Sequence, residues 1–168
     1  MSPVRDGRRK GSGLTHTDAS GRVWMVDVSS KEASLRSAVA EGFVAASAGA
    51  LAACREATAV KGDVLATARV AGIAAAKRTS EWIPLCHPLA VTHAAVEIEL
   101  ESGGFRVRCT VRARDCTGVE MEALTAVAAS CLTLYDMLKA VDKTMEIGPI
   151  RLLRKEGGRS GKYERGTA

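Results

Sequence analysis

The 168-residue chain is short of aromatic side chains, with two Trp, two Tyr and two Phe. A stacking platform for single-stranded nucleic acid needs more of them, so that class of binder is poorly supplied. No apolar run approaches the roughly 20 residues that cross a bilayer. The basic N-terminal cluster of Arg5, Arg8, Arg9 and Lys10 is not followed by an apolar segment, so it does not read as a secretory signal. The cytoplasm is the expected compartment. The five cysteines are scattered without one Cys-x-x-Cys pair, which supports neither a zinc ribbon nor a disulfide framework. Three histidines, His16, His87 and His93, are few for a metal centre.

What is present is a globular composition, 46% hydrophobic, with a net charge of +5 and a pI near 9.1. The charge suits a polyanionic partner, either nucleic acid or a phosphorylated small molecule. One domain is expected over residues 14–161, between a flexible basic tail at 1–13 and a flexible C-terminal tail at 162–168.

VWMVDV at 23–28 reads as a strand. Ser29 and Glu32 match a capping box, and Leu35, Val39, Phe43 and Ala46 recur at helical spacing. Together they predict a helix from about Lys31 to Cys54. Gly62 and Asp63 break it and open a second, Ala-rich helix that ends at Pro84. AVEIELE and FRVRCTVRAR alternate apolar with charged residues around Ser102, Gly103 and Gly104, a β-hairpin. Its pairing sets Glu101 against Arg106 and Glu99 against Arg108, which accounts for the arginines as sheet decoration. A long helix from about Val119 to Lys143 and a strand over 150–155 follow. The order predicts an α+β, ferredoxin-like β-α-β-β-α-β sandwich with an additional helix in the first crossover.

The remaining polar residues gather in a few places. Lys61 stands at a helix entrance, where backbone N–H groups favour anions, though a solvated loop lysine explains it too. Asp136, Lys139 and Lys143 share a helix face, as an ion-pair ladder or as a lysine tuned for acid–base work. Lys155 and Arg159 lie near the glycine-rich chain end, in a loop able to close over a polyanion. Glu120 and Glu122 suit a helix N-terminus, and Met121 between them suits the wall of a pocket for a planar base. In IPLCHPL, Cys86 and His87 point apart if extended, so they make poor joint ligands and a poor nucleophile–base pair. The two prolines suggest a stiff loop presenting His87 to a cleft.

KGDVLATARVAGIAAAKRTSEWIPLCHPL, GVEMEALTA, YDMLKAVDK and IGPIRLLRKEGGRSG, with LTHTDASGRVWMVDVSSK, resemble the cyclic pyranopterin monophosphate synthases of molybdenum cofactor biosynthesis. The resemblance spans Leu14 to Gly161. It implies a lyase that converts (8S)-3′,8-cyclo-7,8-dihydroguanosine 5′-triphosphate to cyclic pyranopterin monophosphate and diphosphate. It implies a ferredoxin-like fold and a homohexamer, a trimer of dimers, with its active site between subunits. No redox cofactor or protein-held metal is implied; Mg2+ would arrive with the triphosphate. Nor is a nucleic-acid or membrane partner. By position, Asp136 and Lys139 would be catalytic together with Lys61, while Leu85, Cys86, His87, Met121, Glu122, Glu120, Lys155 and Arg36 would contact substrate.

The residues offer reasons for these roles. A triphosphate needs several cations, and cations gathered in one place lower one another's pKa, so Lys139 could release a proton near neutral pH. Glu122 and Asp136 lie about 21 Å apart along one helix, so both serve one site only if two subunits build it. Two other readings stay open, a basic nucleic-acid-binding module and a nucleotide-sensing subunit without chemistry.

Overall fold

The computed structural model describes residues 22–57, 59–159 and 161–166. The basic tail expected at 1–13 lies outside them. The chain runs β1 (Ser34–Ala45), α1 (Ala48–Arg55), α2 (Val64–Ala76), α3 (Thr79–Trp82), β2 (Val91–Glu101) and β3 (Gly104–Asp115). It continues through α4 (Glu120–Leu138), β4 (Glu146–Ile147), β5 (Arg151–Glu156) and β6 (Tyr163–Glu164). The sheet order is β2-β3-β1-β5-β6, with β4 paired to the end of β1. Every pairing is antiparallel. Leaving out the short β4 and β6, the connectivity is the expected β-α-β-β-α-β sandwich, with more than one helix in the first crossover.

The first strand is not where the sequence suggested. Residues 34–45 form β1, not a helix, and the helix α1 is confined to Ala48–Arg55. Leu35, Val39 and Phe43 are spaced by four, and four is an even number. Such a set lies on one face of a strand as readily as on one face of a helix. The alternate positions Ala38, Ala40 and Val44 are fully buried beneath the helices. VWMVDV forms no strand; only Val23 makes a bridge, and Val23 and Met25 are exposed. The Ser29–Glu32 stretch is a turn, closed by the Lys31 N–H donating to the Val28 carbonyl at 3.0 Å, rather than a helix start. Asp63 does open α2, accepting from the Ala66 N–H at 2.9 Å.

The hairpin is as expected, with its register moved by two residues. A two-residue turn at Ser102 and Gly103 sets Glu99 opposite Arg106 and Glu97 opposite Arg108. Arg106 still reaches Glu101, diagonally. Arg108 bonds Glu41 of β1 at 2.7 Å instead, where Arg106 and Arg151 also converge at 3.1 Å. Glu41 is only 5% exposed because three guanidiniums cover it on the face away from the helices. These arginines are thereby spent on the sheet.

On the other face, Phe105, Val107 and Val111 of β3 and Val44 of β1 pack with Val127, Leu134 and Leu138 of α4. Long and apolar enough by composition to cross a membrane, α4 has its apolar stripe buried against the sheet. It ends at Leu138, shorter than the helix expected to reach Lys143. Gly72 brings α2 against it, since a Cβ there would stand 2.2 Å from the Ser130 hydroxyl and 2.9 Å from the Ala126 carbonyl. Lys155 lies within β5 rather than in a loop. Tyr163 and Glu164 pair with Lys155 and Arg154, so the stretch expected as a C-terminal tail contributes an edge strand.

Candidate active site

The last turn of α4 leaves carbonyls without helical partners and carries the negative end of the helix dipole. A carboxylate is misplaced there unless cations offset it, and two do. Asp136 has one oxygen 2.8 Å from the Lys139 ammonium and the other 2.6 Å from that of Lys61. Lys61 also donates to the Asp136 main-chain carbonyl at 3.0 Å, satisfying one of the orphaned groups. Lys139 is the C-cap of α4, and Lys61 sits in the turn that leads to α2. All three side chains are about half exposed. The two ammoniums, Lys139 first, hold the Asp136 carboxyl down at about 2. Asp136 in turn raises Lys139. The expectation that neighbouring cations lower Lys139 is thus reversed, because the carboxylate stands between the two lysines. At neutral pH this is a deprotonated acid clamped by protonated lysine.

A second group occupies the other end of α4. Pro84 takes the second position of a turn closed by the Cys86 N–H on the Ile83 carbonyl, 2.9 Å, and the chain then extends through Leu89. Leu85, Cys86 and His87 are all half-buried on this loop. Cys86 and His87 do diverge. The thiol donates to the Glu122 carboxylate at 3.5 Å, while the imidazole Nε2 meets the Val26 carbonyl at 2.8 Å. Burial, then the charge of Glu122, pushes the Cys86 thiol up to about 12, which makes it inert as a nucleophile.

Glu122 is 2% exposed in the first turn of α4. Burial raises its pKa, and Glu120 and Asp115 add to the effect. Its Oε2 is shielded from solvent and has no hydrogen-bond partner among the described residues. A buried carboxylate oxygen left in that state lacks a donor that a ligand N–H or O–H would supply. Beside it, Glu120 pairs with Lys155 of β5 at 3.2 Å, and Met121 is partly exposed. Arg36 on β1 is held by the carbonyls of Asp115 at 3.1 Å and Cys116 at 3.2 Å. Gly157 and Gly158 make room for it, since a Cβ on Gly158 would fall 1.5 Å from its Nη1.

The sequence-predicted residues therefore form two groups. Asp136, Lys139 and Lys61 meet at the C-terminal end of α4. Cys86, His87, Glu120, Glu122, Lys155 and Arg36 belong to its N-terminal end, with Leu85 and Met121 beside them in the chain. Fourteen helical residues, about 21 Å, separate Glu122 from Asp136. Lys143 lies beyond the helix, where its carbonyl accepts from the Tyr135 hydroxyl at 3.2 Å. Arg159 stands exposed in a turn. Sequence reasoning missed the carbonyls of Val26, Asp115 and Cys116, because main-chain acceptors carry no side-chain signature. It also gave no role to Asp142, whose carboxylate accepts from the Ser47 N–H at 2.8 Å.

Residues 25–158 match the model of the MoaC family. A protein of Cereibacter sphaeroides named cyclic pyranopterin monophosphate synthase is 58% identical over 155 residues, 91% of this chain and 98% of that protein. One of the same name from Brucella ovis is 57% identical over 152 residues, 89% of this chain and 92% of that protein. Both matched spans take in the two ends of α4, and the chain belongs to the MoaC family.

Proposed function

We infer that the chain is a cyclic pyranopterin monophosphate synthase, a lyase of molybdenum cofactor biosynthesis acting in the cytoplasm. Its substrate is (8S)-3′,8-cyclo-7,8-dihydroguanosine 5′-triphosphate, and its products are cyclic pyranopterin monophosphate and diphosphate. The observation that carries the reading is the double clamp on Asp136, with Lys61 at 2.6 Å and Lys139 at 2.8 Å. Expelling diphosphate builds negative charge on the leaving oxygens, and preorganised ammoniums offset charge where it develops. Lys139 arrives protonated and acts as the acid, with Lys61 beside it as a fixed cation. Asp136, depressed to about 2, orients both lysines rather than serving as the principal base.

The N-terminal group supplies recognition. Glu122 offers its unbonded oxygen to the base, with Met121, Leu85 and His87 as the surrounding wall. Lys155 and Arg36 contribute cations toward the phosphates, and Mg2+ enters with the triphosphate. Because about 21 Å divides the two groups on one helix, the working site joins the C-terminal end of α4 in one subunit to the N-terminal end in another. A homohexamer, a trimer of dimers, provides such interfaces. Trp82 and Leu132, 54% and 56% exposed beside a cavity of about 290 Å³ between α2, α3 and α4, support burial against further copies.

Purified protein incubated with the cyclised dihydro-GTP and quenched for product analysis tests the reading. The wild type should release diphosphate and the cyclic monophosphate in equal amounts. Lys139→Ala should keep its assembly and make no product. Full turnover by that variant would overturn the role given to Lys139.

A further inference from the structure

The turn that leaves α4 has to hold Lys139 still, yet it lacks the usual means. No glycine follows the C-cap, the next residue being Ala140, so the left-handed motif that commonly seals a helix end is not available. The Val141 and Asp142 N–H groups both fold back on the Leu138 carbonyl, at 2.8 and 3.0 Å. Helix ends closed only by such local bonds fray readily. Lys61 meets the Asp136 carbonyl and the Tyr135 hydroxyl meets that of Lys143, and the carboxylate that ties the 139–144 turn to the start of α1 is Asp142. Asp142 is 7% exposed, and its carboxylate accepts from the Ser47 N–H at 2.8 Å, the Thr144 N–H at 2.9 Å and the Thr144 hydroxyl at 2.7 Å.

Ser47 is the N-cap of α1, so the carboxylate also lies at the positive end of a helix dipole. The eight residues of α1 then lead away towards the turn that bears Lys61. One carboxylate thus ties the exit of α4, with Lys139, to the entrance of the element that precedes Lys61.

We propose that Asp142, whose carboxylate bonds Ser47 and Thr144 rather than Asp136, Lys139 or Lys61, is the positioning residue that fixes Lys139 against Asp136. The proposal rests on the synthase reading of that clamp. Loss of the anchor frees the 139–144 turn, and Lys139 samples positions away from Asp136 while the N-terminal recognition group is left in place. A misplacement of about 1 Å at a reacting group costs up to about 100-fold in rate. The effect therefore falls on kcat, with KM little changed.

Asp142→Asn keeps the shape of the side chain, and Thr144→Val removes one donor to it as a milder second variant. With saturating substrate well below the melting temperature, Asp142→Asn should lower kcat about 10-fold and leave KM within about 2-fold, with Thr144→Val intermediate. Reductive 13C-methylation of the lysines, with Lys139→Arg to assign its resonance, supplies a second readout. In Asp142→Asn the Lys139 signal should titrate at lower pH than in wild type, since its carboxylate partner is no longer held beside it. A residue that only stabilises the fold would lower the melting temperature and move neither kcat of the folded protein nor that titration. That result, in either variant, overturns the proposal. A wild type that forms no product overturns the synthase reading instead, so the two failures are told apart.

Discussion

Lys61 donates twice to Asp136, once to its carboxylate at 2.6 Å and once to its main-chain carbonyl at 3.0 Å. The first bond belongs to the candidate chemistry and the second to the helix end, so one side chain serves both. Lys61→Ala should cost about 100-fold in kcat, on the scale of losing one preorganised donor. Lys61→Arg should recover only part, because a planar guanidinium does not reproduce both bonds of a point ammonium. Steady-state assay of the two variants checks this.

The clamp also has a pH window. Asp136 is held at about 2 against an ordinary 3.8, so the stability it lends is complete above 3.8 and is lost as pH falls towards 2. Lys139 is raised above its ordinary 10.5, so its share is complete below 10.5 and is lost only as pH climbs beyond it. Neither group changes charge between about pH 5 and 9, and log kcat should show no limb from this pair over that range. A kcat profile in overlapping buffers checks it. Asp136→Asn should bring the titration of Lys139 down towards its ordinary value.

Glu122 carries the opposite sign. Burial raises its pKa, so the folded state disfavours its ionised form, and its cost to stability grows as pH rises from the ordinary 4.5 through the raised value. Glu122→Gln should therefore melt at a higher temperature than wild type at pH 8, while binding substrate at least about 10-fold more weakly. Thermal melts and a KM measurement on one preparation separate the two effects.

Packing of α2 on α4 rests on Gly72. Gly72→Ala places a methyl group 2.2 Å from the Ser130 hydroxyl and 2.9 Å from a main-chain carbonyl. The helices must part, at about 2 kcal/mol, read as a lower denaturation midpoint with an unchanged slope.

Much of this was legible in the chain, for physical reasons that also mark where reading stopped. The hairpin declared itself because charge and apolarity alternate over both strands, yet its register depended on whether two or more residues turn, which composition does not decide. β1 was misread because a spacing of four fits both periods. The C-terminal limit of α4 was overrun because no glycine or proline marks it; Asp142 does so through Ser47, 95 residues away. In the site, the charged residues were visible as residue types. Which of them meet was not, since the Lys61–Asp136 contact spans 75 residues and only the fold closes it. The reversal at Lys139 has the same origin, because a pKa follows the nearest partner and not the local count of cations.

The most direct test pairs two damaged copies. Lys139→Ala spoils the C-terminal group, and Glu122→Ala spoils the N-terminal group about 21 Å away on the same helix. Each alone should form almost no cyclic pyranopterin monophosphate. Co-expressed and purified together, random assembly leaves about a quarter of the interfacial sites with both groups intact, and product formation should return to about that fraction of wild type. Mixed assemblies no more active than either parent would contradict a site built from both ends of α4 in different subunits.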